Sequence, residues 1–189
     1  MLQDLVSKYK PPQTLCFTGH RPERLPQRAS ELRRLQGRLS DEIEAAIGRG
    51  KVNIVSGAMS GFDTMAAEQV IRLKETHPQI QCILIAPFAI RFFNDRNWTP
   101  EWETRLRAII KRADFAISLS EHCYQGACFD RNRVIVDMSS EVITYYDGGS
   151  GGTKYTVDYA IGCNKPVCNI ADRFDGLTRE LENLGCKTE

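Results

Sequence analysis

Nothing in this chain is apolar for long enough to cross a bilayer. Its longest hydrophobic run, residues 82–90, contains Pro87 and falls far short of the roughly 20 residues that a helical span needs. No basic block followed by an apolar block marks a secretory leader, so a cytoplasmic location and no membrane partner are expected. Net charge is also scarce. Lys and Arg number 25 against 24 Asp and Glu, a formal +1, which argues against a protein that coats nucleic acid through bulk charge. Internal repeats and low-complexity linkers are absent. The seven cysteines are an odd number, and a reducing compartment disfavours a disulfide framework. Cys16, Cys82 and Cys168 lie in strand-like runs, where a thiol acts as a small hydrophobe. His122, Cys123 and Cys128 fit no zinc spacing and have no second ligand pair, so neither a metal nor a cofactor is expected.

What is present suffices for a packed core. The chain has 189 residues, 42% hydrophobic and 26% charged, which suits one domain over residues 1–189 with a short polar lead-in at 1–12. Apolar strand-like runs at 14–18, 52–55, 80–86, 115–119, 142–146 and 166–170 alternate with helical patterns at 28–49, 63–75, 100–112, 130–138, 153–161 and 177–184. In the first helix Leu32, Leu35, Leu39, Ile43 and Ile47 recur at three- and four-residue steps. Near-continuously apolar strands alternating with helices predict an α/β, three-layer, Rossmann-like fold. Its sheet is mostly parallel, with about six strands and helices on both faces. In such sheets ligands bind at the carboxyl ends of the strands.

Three of the loops expected there carry suitable chemistry. After the first strand, Gly19 permits close approach, and His20 and Arg21 supply an imidazole and a forked cation suited to phosphate. After the second come Ser56, Gly57, Gly61 and Asp63; Asp63 suits either a ribose hydroxyl or the cap of its own helix. After the fifth, Gly151, Gly152 and Thr153 open a helix whose unpaired N–H groups would face an anion. Arg131 and Arg133 flank Asn132 near the start of the helix after the fourth strand and should point to different faces. Neither the dinucleotide fingerprint nor the P-loop spacing occurs. Six arginines between residues 20 and 38, against two glutamates, are either a solvated helix face or a patch facing an anion. The aromatic segment at 87–98 is either a packed loop or a lid.

The ordered set Thr18-Gly-His-Arg-Pro22, Ser56-Gly-Ala-Met-Ser-Gly-Phe-Asp63, Arg131-Asn132, Tyr146-Asp-Gly148 and Gly151-Gly-Thr-Lys-Tyr-Thr-Val-Asp-Tyr-Ala160 resembles the YpsA-like family. That family belongs to the SLOG superfamily, which also holds the DNA-processing protein DprA and the LOG phosphoribohydrolases. The resemblance runs from about residue 14 to 170. It implies a Rossmann-like fold that binds a nucleotide or nucleotide-derived small molecule at the loops named above, in a sensing or regulatory role. By similarity to DprA, nucleic acid is an alternative partner, with Arg131, Asn132, Arg133 and the 56–63 loop facing the ligand or single-stranded DNA. LOG hydrolases carry a glutamate three residues after the glycine-rich threonine; here Thr156 takes that place. An N-glycosidase needs a carboxylate near the developing sugar cation, and Asp63 and Asp147 are the weak catalytic candidates for this alternative. Binding is therefore expected ahead of catalysis. A homo-oligomer is compatible with the apolar helix faces.

Overall fold

The computed structural model describes residues 7–89, 91 and 98–171. Six strands form one sheet: β1 (Thr14–Gly19), β2 (Asn53–Ser56), β3 (Gln81–Ala86), β4 (Phe115–Ser118), β5 (Glu141–Tyr145) and β6 (Val167–Asn169). Their order is β4-β3-β2-β1-β5-β6 and every pairing is parallel. Among the described residues five α-helices connect them: α1 (Ala29–Gly48), α2 (Phe62–Leu73), α3 (Pro100–Ile110), α4 (Ala127–Asp137) and α5 (Gly152–Gly162). The helix read at 177–184 and most of the aromatic segment at 87–98 lie outside the described residues.

Alternation along the strands sorts the core into two layers. Leu15, Phe17, Ile54, Leu84 and Tyr145 point to one face, under Leu35, Leu39 and Ile43 of α1, Met65 and Val70 of α2, and Leu106 and Ile109 of α3. Cys16, Val55, Ile83, Ile85 and Val142 point to the other, under Ile135, Val136 and Met138 around α4 and Ala160 of α5. Leu35, Leu39 and Ile43 are fully buried, each contributing roughly 1.5–3 kcal/mol of apolar burial. Cys16 and Cys82 belong to this core, and burial pushes both thiols up to about 12, which keeps them protonated and inert. The lead-in is less polar in effect than its sequence suggests. Tyr9 is buried and its ring packs on Phe115 of β4 at 5.9 Å, shielding part of that edge strand.

The topology creates the functional edge. From β1 the chain steps outward through β2, β3 and β4 with α1, α2 and α3 on one face. It then returns through α4, on the opposite face, to β5 beside β1. Connections leave β1 in one direction and β5 in the other, so their carboxyl ends open a crevice.

Candidate functional site

Three loops close on one another at this crevice. The β1 and β2 loops are fastened by a hydrogen bond from the Phe62 N–H to the His20 carbonyl, 3.0 Å. Two glycines make that approach possible. A Cβ on Gly19 would lie 2.4 Å from the Phe62 ring, and one on Gly61 would lie 2.5 Å from the His20 carbonyl oxygen. Gly61 also has φ +93° and is the N-cap residue of α2. Asp63 therefore does not cap its helix, contrary to one of the two roles read from sequence. Its side chain turns toward α4 instead.

There Asp63 Oδ2 accepts from Arg131 Nη1 at 3.2 Å, with both side chains at least nine-tenths buried. Gly57 makes room for the pair, since a Cβ there would stand 1.2 Å from Arg131 Nη1. Burial pushes the Asp63 carboxyl above its ordinary 3.8, against the opposing pull of Arg131, Arg21 and a Met59 backbone hydrogen bond. Among the described residues, Arg131 makes this one hydrogen bond, and its Nε is buried without an acceptor. Arg133, on the outer face of α4, is exposed and pairs with Asp130 at 2.5 Å. The two arginines do point to different faces.

The β5 loop is tied down from the β1 side. The Asp147 side chain is buried, and its Oδ1 lies 2.5 Å from His20 Nε2. The same oxygen accepts from Arg24, which also donates to the Gly148 carbonyl at 2.6 Å. The Asp147 backbone N–H lies 3.2 Å from the same imidazole nitrogen. One nitrogen cannot accept from that amide while donating to the carboxylate, and the shorter contact to a charged acceptor sets Nε2 as the proton bearer. Beyond this anchor the backbone runs through Gly148, Gly149 and Gly151, all at positive φ, into α5. The Gly152, Thr153 and Lys154 amides precede the first helical hydrogen bond, from Tyr155 N–H to the Gly151 carbonyl at 3.1 Å. They form the positive end of the helix dipole.

A pocket of about 370 Å³ lies among these loops. Its walls include Gly19, His20, Arg21, Asp63, Arg131, Asn132, Gly151, Gly152 and Thr153, all named from sequence. Ser56, Gly57 and Gly61 are not on the wall. The Ser56 hydroxyl donates to the Asp63 carbonyl at 2.8 Å, so this residue and the two glycines shape the turn that carries Asp63. Asp147 is likewise not a wall residue. Sequence reasoning passed over Arg24, Met59, Ser60, Cys128 and Phe129, which also line the pocket. Arg24 belongs to the arginine-rich run, the one signal that pointed toward it. Ser60 receives a hydrogen bond from Arg21 at 2.9 Å, a pairing with no local pattern.

Thr156 shows what replaces a glutamate on α5. It is fully buried, accepts from Asn132 Nδ2 at 2.6 Å and donates to the Gly152 carbonyl at 2.8 Å. Its hydroxyl joins α4 to α5 under the glycine turn. Asp158 is exposed and paired with Lys154 at 2.5 Å, so α5 brings no carboxylate to the pocket. Among the described residues no group of three His, Cys, Asp or Glu side chains is arranged to hold a metal ion.

Residues 15–165 match the model described as the YspA SLOG family, YpsA. The chain belongs to this family. YpsA of Bacillus subtilis, a UPF0398 protein, is 24% identical over 154 residues, covering 78% of this chain and 84% of that one. A UPF0398 protein of Halalkalibacterium halodurans is 31% identical over 102 residues, 53% of this chain; the match spans only about half, 52%, of that relative's length. DNA processing protein A from Helicobacter pylori, in a structure concerned with its single-stranded DNA binding mode, superposes with a TM-score of 0.61 at 20% identity, covering 97% of this chain and 77% of that one. DprA from Streptococcus pneumoniae gives 0.61 and 20%, covering 97% and 59%. At such identity the likeness is one of fold, and it agrees with the Rossmann-like α/β architecture. No helix among the described residues is long and apolar enough to cross a membrane.

Proposed function

We propose that this chain binds a nucleotide or nucleotide-derived anion at the carboxyl edge of its sheet, as a sensing or regulatory protein of the cytoplasm. The observation that carries this reading is the pocket between β1, β2 and β5. It combines the N-terminus of α5 with Arg21, Arg24 and Arg131, and sets the apolar Met59 and Phe129 beside them. Helix-terminal amides and guanidiniums suit a phosphate, and an aromatic rim suits a base. Asp63 and Glu23 line the same pocket, but α5 itself presents the buried, hydrogen-bonded Thr156 and no carboxylate, which supports recognition over glycosidic cleavage.

Isothermal titration with nucleoside mono-, di- and triphosphates tests the proposal. Saturable binding is expected, and Arg21→Ala should weaken it by about tenfold, the loss of one charge-assisted contact. Free base appearing in the same incubations would replace binding with hydrolysis. Retention of single-stranded oligonucleotides at low salt, with no mononucleotide bound, would replace it with the nucleic-acid reading.

A further inference from the structure

The two ends of the pocket differ in chemistry. On the β5 side, the first turn of α5 presents N–H donors. On the β2 side, Asp63 presents a carboxylate next to the Arg131 guanidinium, 3.2 Å apart. A phosphate carries only acceptors and is repelled by a carboxylate. A pair of neighbouring hydroxyls, each able to donate and accept, complements a carboxylate and a guanidinium side by side.

This pair is not explained by local structure. Asp63 lies in the first turn of α2 without capping it, since Gly61 occupies the N-cap. Arg131 is 4% exposed and carries five N–H donors, of which the described residues engage one, Nη1, while Nε has no acceptor. Gly57 is held bare beside it. Both residues line the pocket. Asp63 follows β2 and Gly151 follows β5, and these two strands lie two strand spacings apart with β1 between them, roughly 10 Å. A single sugar bearing a phosphate at one end and hydroxyls at the other bridges that separation once a hydrogen bond is added at each end.

We propose that the ligand is a 5′-ribonucleotide, its phosphate on the Gly151–Thr153 turn and its 2′,3′-hydroxyl pair read by Asp63 and Arg131. This deepens the nucleotide reading above and rests on it. The hydroxyl chemistry is shared by a base-free sugar phosphate, so the test separates the two sources. Dissociation constants are measured on the wild-type protein for the four 5′-ribonucleoside monophosphates, their 2′-deoxy counterparts and ribose 5-phosphate. A ribonucleotide should bind at least about tenfold tighter than its deoxy form, because the deoxy sugar leaves buried polar groups unmatched. Equal affinity for the two forms overturns the hydroxyl reader and leaves the nucleotide reading standing. Ribose 5-phosphate binding as tightly as the nucleotides supports the hydroxyl reader and overturns the nucleotide reading. No binding by any of them overturns both. Asp63→Asn adds a second measurement: in the folded variant the ribo-to-deoxy ratio should narrow toward one, and an unchanged ratio overturns the hydroxyl reader.

Discussion

Asp63, Arg131 and Gly57 form the residue-scale centre of the site, and each constrains the others. Gly57→Ala would place a methyl 1.2 Å from Arg131 Nη1, forcing the guanidinium off its buried partner. The expected loss is on the order of 3 kcal/mol, read from urea unfolding. Gly37 is the control. It lies within α1, exposed, with nothing within 4 Å of a Cβ position, so Gly37→Ala should stabilise by about 1 kcal/mol through helix propensity alone. The Asp63 carboxyl also makes a signed pH prediction. Its native value is raised above 3.8, chiefly by burial, so the folded state holds that proton more tightly than the unfolded chain. The stabilisation from protonating it is fully present below 3.8 and is lost as pH rises through the raised native value. Comparing urea melts of wild type and Asp63→Asn, the difference should move in favour of the wild type as the pH is lowered across that window; no movement would contradict the burial account. The sequence marked Asp63 as a ribose contact or a cap. It held no sign of Arg131 as its partner, because a contact across 68 residues depends on how α4 docks on the sheet.

At the scale of elements, the glycine-rich turn before α5 owes its position to a staple. Three positive-φ glycines leave residues 148–151 with little intrinsic preference. Asp147, shared between His20 and Arg24, fixes the start of the turn, and the Gly148 carbonyl is held by the same arginine. Arg24→Ala should therefore speed amide hydrogen exchange at residues 148–152 by about tenfold or more, with strand amides of β1 unchanged. Exchange unaltered at the turn would mean that its shape is intrinsic. The described helices were legible in the sequence pattern, α1 most clearly from its periodicity. The start of α4 was not: the helix begins at Ala127, behind Gly126 at φ +94°, three residues before the apolar pattern that announced it. Cys128 and Phe129 thereby become wall residues of the pocket. The strands were legible as apolar runs, yet apolarity alone did not reveal that β4 is a half-exposed edge strand.

For the whole molecule, strand order decides where chemistry gathers. Alternation of strands and helices pointed to a parallel sheet and to ligand binding at its carboxyl edge. Which loops meet there follows from the return of the chain to β5 beside β1, a long-range event that no local pattern encodes. That return joins Gly19 to Gly151 across neighbouring strands, and it brings α4 over the opposite face so that Arg131 reaches the β2 loop. The proposed function places a phosphate at this junction. Titrating the ¹⁵N-labelled protein with 5′-ribonucleoside monophosphates tests it directly. Saturable shifts of the Gly19, Gly151, Gly152 and Thr153 amides are expected, with Gly37 and Gly50 unmoved. Saturation elsewhere on the molecule, or no saturable shift at the glycine turn, would contradict it.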